Sequence, residues 1–406
     1  MKKSYANKIL PMSLIALTVI AVSIYPYLNN VQATAVPIDD SQPPIDINIG
    51  GERPEIEVVF VLDTTSSMSG LIQAAKENIW SIASTMANAQ PAPVIKMGLV
   101  AFRDRGDAYV TKVFDLSEDL DGMYATLMDF EAQGGGDGPE SVNQALYEAV
   151  TKVSWSDNSD NYKVLFLVGD APPHMDYQND IKFPESIALA TDKGIVVNTI
   201  QAGNDANTAR SWQKIASLSQ GNYFNVDEQG SRVAVATPFD DEIAALSREL
   251  DNTRYFYGSA LEQKKHALKA AASEKLHALA SVATRAKRAM FNASESGKEN
   301  FGGDKELVAD IVSGELRLDD VAEAELPAAI RALPSDQRKE EIHRQAEKRS
   351  SISAKIAELA TKRDAYVEAE LAKTEDVDQS LDHQIYETVA AQAKDKGLNY
   401  EGGPKY

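Results

Sequence analysis

Hydrophobic positions fall into three regimes along the chain. The first is one apolar run from Ile9 to about Leu28, preceded by Lys2, Lys3 and Lys8 and followed by Ala33-Thr34-Ala35. A basic start, an apolar stretch and a small-x-small site predict a secretory signal peptide over residues 1–35, or an uncleaved N-terminal anchor. Residues 36–54 hold Pro37, Pro43, Pro44 and Pro54 among Asp, Ser and Gly. They predict a semi-extended linker.

The second regime begins at Glu55. Ile56–Leu62, Ile95–Phe102, Val164–Val168, Ile195–Ile200 and Asn222–Asn225 are short, largely apolar runs. They read as strands, the longer ones buried on both faces, with Val110–Phe114 as a short edge strand. Residues 69–88, Leu120–Phe130, Ser141–Val153, Pro184–Lys193 and Thr208–Ser219 instead carry apolar residues at helical spacing. This alternation predicts an α/β fold, a doubly wound and mostly parallel sheet flanked by helices. Phe239–Leu250 reads as its closing helix, so the α/β domain is expected over 55–255.

The third regime, beyond Gly258, is rich in Ala, Glu, Lys, Leu and Arg and has no strand-like run. Leu261–Phe291 reads as one long helix with Leu261, Leu268, Leu276 and Leu279 near one face. Gly297–Gly303 reads as a loop and Glu306–Ile311 as a short helix. Ser335 is placed to cap a helix running to about Lys373, striped with Ile342, Ile352, Ile356, Leu359 and Leu371. Residues 397–406 are expected to fray. The whole of 256–406 is therefore expected to be a separate all-α, coiled-coil-like region, acting as a stalk or dimerisation element.

Composition narrows the function classes. Of 406 residues, 43% are hydrophobic, enough for a core. Lys and Arg number 41 against 61 Asp and Glu, a formal net charge of −20. Most of that acidity lies before residue 260. Such a balance opposes nucleic-acid binding and docking on anionic bilayers through a basic patch. The chain has no cysteine and five histidines, which removes disulfides, thiolate catalysis and Cys-ligated metals.

In parallel sheets, ligands bind beyond the carboxyl ends of the strands. Polar chemistry follows three of the predicted elements: Asp63-Thr64-Thr65-Ser66-Ser67-Met68, Gly134-Gly135-Gly136-Asp137-Gly138-Pro139-Glu140, and Gly169-Asp170-Ala171-Pro172-Pro173. Asp63, Thr65 and Ser67 alternate, so their oxygens can converge. Carboxylates and hydroxyls alone suit a hard cation, Mg²⁺ first, with Mn²⁺ or Ca²⁺ also accommodated.

The segment from about Glu55 to Asn225 resembles a von Willebrand factor type A domain with a metal-ion-dependent adhesion site. That family carries D-x-S-x-S, a Thr in a Gly-rich loop, and an Asp after the fourth strand. Asp63, Thr65 and Ser67 match the first element with Thr for the first Ser, and Asp170 matches the last. Asp137 stands in the Gly-rich loop where the family most often has Thr. The resemblance implies that Thr65 and Ser67 bind the metal directly. Asp63 and Asp170 would accept from metal-bound waters or from the hydroxyls. One position would stay open for an acidic side chain of a protein partner. An additional direct carboxylate weakens such capture, so Asp137 is expected behind the direct ligands, or on the metal only before a partner binds.

His174 and Asp176 are expected to rim the metal face and tune partner choice. Arg105-Gly106-Asp107 reads as an ordinary turn, and Arg103 with Asp104 as a surface pair. There is no G-x-S-x-G, Walker loop or H-E-x-x-H. The leading expectation is a non-enzymatic, cation-dependent binding module, exported to the bacterial periplasm or envelope. It would touch a membrane only through an uncleaved N-terminal segment and could self-associate through its C-terminal helices. The alternatives are a metal-assisted hydrolase using the same carboxylates with His174 as acid or base, and a structural protein whose helices do the binding.

Overall fold

The computed structural model describes residues 53–70, 72–136, 138–226, 235–373 and 380–400. The expected leader and most of the linker lie outside them. Six strands form one sheet: β1 (Glu55–Asp63), β2 (Val94–Phe102), β3 (Thr111–Ser117), β4 (Tyr162–Gly169), β5 (Ile195–Ala202) and β6 (Tyr223–Val226). Their order is β3-β2-β1-β4-β5-β6. All neighbours run parallel except β3, which pairs antiparallel with β2 at the edge. The expected α/β architecture is observed.

Alternation within the central strands explains the layers. Ile56, Val58, Phe60 and Leu62 point to one face, with Val164, Phe166 and Val168 beside them. That face is covered by α1 (Ile72–Met86) and α2 (Leu120–Met128). Val59, Val61, Leu165, Leu167 and Val197 point the other way. They meet α3 (Val142–Thr151), α4 (Phe183–Asp192) and α5 (Ala206–Leu218), including the fully buried Trp212. Strand side chains alternate with a period of two, so both faces of these central strands must be apolar.

The closing helix is α6 (Asp240–Asp251), followed by α7 (Ala260–Leu279), α8 (Val282–Asn292), α9 (Lys298–Gly302), α10 (Leu307–Ser313), α11 (Ala328–Arg331), α12 (Ser335–Leu371) and α13 (Leu381–Lys394). This region is helical, as expected, but it is not a separate stalk. Residues from Arg53 onward form one compact unit. Leu381, Ile385, Val389, Ala393 and Leu398 join the sheet's α1 face. Residues 397–400 do not fray: Leu398 is fully buried, and Asn399 and Gln90 exchange two backbone bonds of 2.9 and 2.7 Å.

Three further details differ from the sequence reading. The single helix expected over Leu261–Phe291 is broken at Ala280, which is extended, and Ser281 restarts it by accepting from Thr284 N–H at 3.2 Å. Leu261, Leu268 and Leu279 are exposed, and only Leu276 is buried. The packed face of α7 is polar instead, with Lys269, Ser273 and His277 reaching acids on α2, α6 and the loop before α2. Finally, Pro334 holds the cap position of α12 and Ser335 is its first residue. The Ile342, Ile352, Ile356 and Leu359 stripe of α12 is real, but it packs within the molecule on α6, α8 and α10.

Buried ions tie these helices to the domain. The Arg288 guanidinium of α8 bonds Asp121 of α2 through Nε at 2.7 Å and again through Nη2, and reaches Asp251 of α6 at 2.9 Å. Burial alone would raise the Asp121 carboxyl, but Arg288 overcomes this and holds it far below the usual carboxylate range. No helix among the described residues is long and apolar enough to cross a membrane.

Candidate metal centre

β1 ends at Asp63, beside Phe102 of β2 and one step beyond the pairing of Leu62 with Val168 of β4. The chain then turns into a 3₁₀ segment, Ser66–Gly70, that leads to α1. Asp63 is wholly buried, and its Oδ1 accepts from Thr65 N–H at 2.8 Å and from the Thr65 hydroxyl at 2.6 Å. Thr65 Oγ1 is 3.0 Å from Ser67 Oγ, which donates to Asp170 Oδ1 at 2.9 Å. One chain of oxygens thus links Asp63, Thr65, Ser67 and Asp170. The alternation read from the sequence brings these four together.

Glycine makes the approach feasible at two points. A Cβ on Gly169 would lie 2.7 Å from Asp63 Cβ and 3.2 Å from the Trp212 ring. Only a bare Cα lets β4 deliver Asp170 this close to Asp63. Gly135 has φ +78°, and a Cβ there would meet Glu140 Oε1 at 3.1 Å and Thr65 Cβ at 3.3 Å. The Asp170 loop is fixed from behind: Trp212 Nε1 donates to Ala171 O at 3.0 Å, and Thr208 Oγ1 to Asp170 O at 3.0 Å. Asp205 caps α5 at the same edge.

Thr65, Ser67 and Asp170 line an open cleft of about 560 Å³, together with Gly135, Glu140, Pro172, Asp205 and Thr208, and Asp63 lies buried beneath it. Its electrostatics are those of crowded carboxylates. Burial pushes Asp63 up to about 7 despite its bonds from Thr65, with Asp170 adding to the rise. Burial also raises Asp170. Asp63 Oδ2 and Glu140 Oε2 are buried and accept no hydrogen bond from the described residues. Among the described residues no three acidic or histidine side chains stand together as a ready cage, so hydroxyls must contribute. Buried, unpaired carboxylate oxygens beside two aligned hydroxyls are the donor set a hard divalent cation takes.

The remaining expected residues fall differently. Asp137 lies outside the described residues. His174 does not rim the cleft: it is 3% exposed, with Nδ1 2.8 Å from Asp176 and its ring stacked on Tyr177 at 3.9 Å. Its backbone N–H donates to Glu140 O and its O accepts from Asn143, so it splints two loops under the site. Asp176 is exposed but outside the cleft lining. Arg103 and Asp104 are buried rather than a surface pair. Arg103 Nε donates to Thr64 O at 3.1 Å, while Asp104 accepts from Ser141 and Tyr177 at 2.8 Å each. Asp107, last in the Arg105-Gly106-Asp107 turn, accepts from Gly135 N–H at 2.8 Å and so shapes the Gly-rich loop. Glu140, which lines the cleft, is a residue that the sequence reading does not single out; it shares the Gly-rich stretch with Asp137 and has no spacing of its own to mark it.

Residues 57–237, a little under half of the chain, match the family model described as von Willebrand factor A domain. This segment is a von Willebrand factor A domain. Among curated proteins none matches the chain. Solved structures that resemble the VWA segment include proximal thread matrix protein 1 from the mussel byssus, at 16% identity over 43% of this chain and 42% of that one, TM-score 0.33. A second structure of the byssus protein, described as having a zinc occupied MIDAS motif, gives 18% identity over 43% and 42%, TM-score 0.34. The SpRpn10 VWA domain gives 14% over 43% of this chain and 88% of that chain, TM-score 0.34. The chain thus spans under half the length of the byssus protein.

Proposed function

We propose that this protein is a cation-dependent protein-binding module of the bacterial envelope, exported by its N-terminal segment and without catalytic activity. The observation that carries the reading is the oxygen relay from Asp63 through Thr65 and Ser67 to Asp170, at the carboxyl rim of the sheet and open to a cleft. Thr65 and Ser67 would hold the ion directly, Asp63 and Asp170 would orient those hydroxyls, and Mg²⁺ is the cation these donors favour. When bound, the cation supplies the positive charge on which a partner's acidic side chain docks. The VWA family as a whole commonly binds protein partners, which supports the coarser part of this reading. The hydrolase alternative gains no support, because His174 is buried and turned to Asp176 and Tyr177.

The test is recovery of envelope partners on the immobilised protein. Capture should be lost in chelator and with Asp63→Ala, while thermal melting shows both proteins folded. Partner capture that is unchanged in excess chelator refutes the reading.

A further inference from the structure

Where the end of α1 meets α8 and α12, the packing leaves a cavity of about 290 Å³. None of its lining residues belongs to the metal cleft. Its mouth is at the surface, where Asn88 and Ala357 are exposed. Phe291 and Ile356 are buried in its walls, with Met290 beside them half-buried. The space exists because Ala87, Ala293, Ala357 and Ala360 occupy positions that larger side chains would fill. Well-packed interiors keep few voids larger than a water molecule. An engineered apolar cavity of about 150 Å³ already accepts benzene, so this one has room for about ten heavy atoms.

The polar groups of the lining are few, and most of them donate. The Ser84 hydroxyl is buried and has no hydrogen-bond partner among the described residues. Lys287 is buried and donates to Ser81 Oγ at 3.2 Å, and Arg363 is buried and donates from Nε to Asp240 at 2.8 Å. Ammonium and guanidinium groups donate and never accept. Ser81 and Ser84 are three residues apart on α1, and such residues are neighbours on a helix surface. The Lys287 ammonium and the unpaired Ser84 hydroxyl therefore stand in one part of the cavity. Asp364 is the one acid in the lining, so its ionised side chains are two cations against one anion, in a chain whose net charge is −20.

We propose that this cavity binds a medium-chain carboxylate, with its apolar tail against Met290, Phe291 and Ile356 and its carboxylate at Lys287 and the Ser84 hydroxyl. The tail contributes through burial of apolar surface. The head contributes a charge-assisted bond and an acceptor for a hydroxyl that otherwise has none. An amine head on the same tail meets cations instead, and like charges brought together oppose binding. A ligand seated here touches α1, α8 and α12 at once, so its binding stabilises their packing.

Calorimetry on the full chain uses octanoate as the probe, with octanol and octylamine as head-group controls on the same tail. Octanoate should bind wild type and raise its melting temperature. Octylamine should bind more weakly by at least about tenfold, the equivalent of one charge-assisted hydrogen bond. Ala360→Leu narrows the cavity and should abolish octanoate binding, while melting without ligand shows the variant folded. Lys287→Gln keeps a donor for Ser81 and should weaken octanoate about tenfold with octanol unchanged. Ser84→Ala removes no side-chain bond among the described residues, should weaken octanoate several-fold, and decides the head-group assignment if Lys287→Gln does not fold. Absence of octanoate binding to wild type overturns the proposal. So does equal binding of octanoate and octylamine, undiminished octanoate binding in Ala360→Leu, or octanoate affinity unchanged in the folded head-group variants.

Discussion

Replacing Arg288 with Met should destabilise the protein by about 3–5 kcal/mol, the cost of stranding a buried charge. The structure shows which charge is stranded. Asp251 keeps Arg254 at 3.1 Å and His277 at 2.7 Å. Asp121 is wholly buried and loses two bonds from the guanidinium, keeping the Ser273 hydroxyl at 3.1 Å and the weaker influence of the Lys269 and Arg254 charges. The loss is therefore concentrated on Asp121. A second change, Asp121→Leu, removes the stranded group, so the double variant should recover most of the loss. Replacing a buried pair by apolar groups of similar size is often neutral or stabilising. Urea unfolding of wild type, both single variants and the double variant completes the cycle. The pH dependence adds a sign. Wild-type Asp121 sits below its unfolded value of 3.8, so its contribution is present above that pH and fades as pH falls further. In Arg288→Met the carboxyl should rise instead, so that variant should lose stability as pH increases from about 4. A cost below about 1 kcal/mol, or a double variant as unstable as the sum of the singles, refutes the claim that this network anchors the helices.

Further outcomes follow from the cleft and the core. In chelator, stability should fall as pH rises from about 4 to 7, because folded Asp63 holds a proton that its unfolded form has lost. A shift of about three units corresponds to about 4 kcal/mol, absent in Asp63→Asn and measurable by denaturant titration at several pH values. Trp212→Phe should cost about 1–3 kcal/mol by leaving Ala171 O unsatisfied, and should weaken Mn²⁺ binding measured by calorimetry as the Asp170 loop loosens. Leu398→Ala should cost about 2–5 kcal/mol in the same unfolding assay, as expected of a core position and not of a fraying end.

What the sequence could convey was set by how local the determinant is. Strand runs such as Ile56–Leu62 carry their own pattern, and the Asp63-x-Thr65-x-Ser67 alternation needs only an extended turn to converge. Asp170 could be placed because a parallel sheet puts every strand end at one rim. The errors came where a distant segment decides. Lys269, Ser273 and His277 look like a solvated face of α7, and become its packed face only because Asp119, Asp121 and Asp251 arrive from elsewhere. The leucines of that helix read as its seam for the same reason, yet Leu261, Leu268 and Leu279 are exposed. His174 reads as an exposed loop residue until the Tyr177 ring and the Asn143 amide close over it. Glu140 carries no pattern at all, and only the fold brings it to the cleft.

The late arrival of α13 has a consequence for how the chain reaches this structure. The sheet's α1 face is finished by residues some 200 to 300 positions downstream, through pairs such as Tyr162 with Gln392, 230 apart, and Ser81 with Asp382, 301 apart. During synthesis, a strip of that apolar face stays bare until the ribosome has delivered everything up to Leu398. Closing such wide loops costs entropy before it is repaid, so completion of this layer belongs at the end of folding. A nascent chain in that state presents sticky surface, which makes a holding chaperone, rather than early autonomous folding of the sheet, its natural companion.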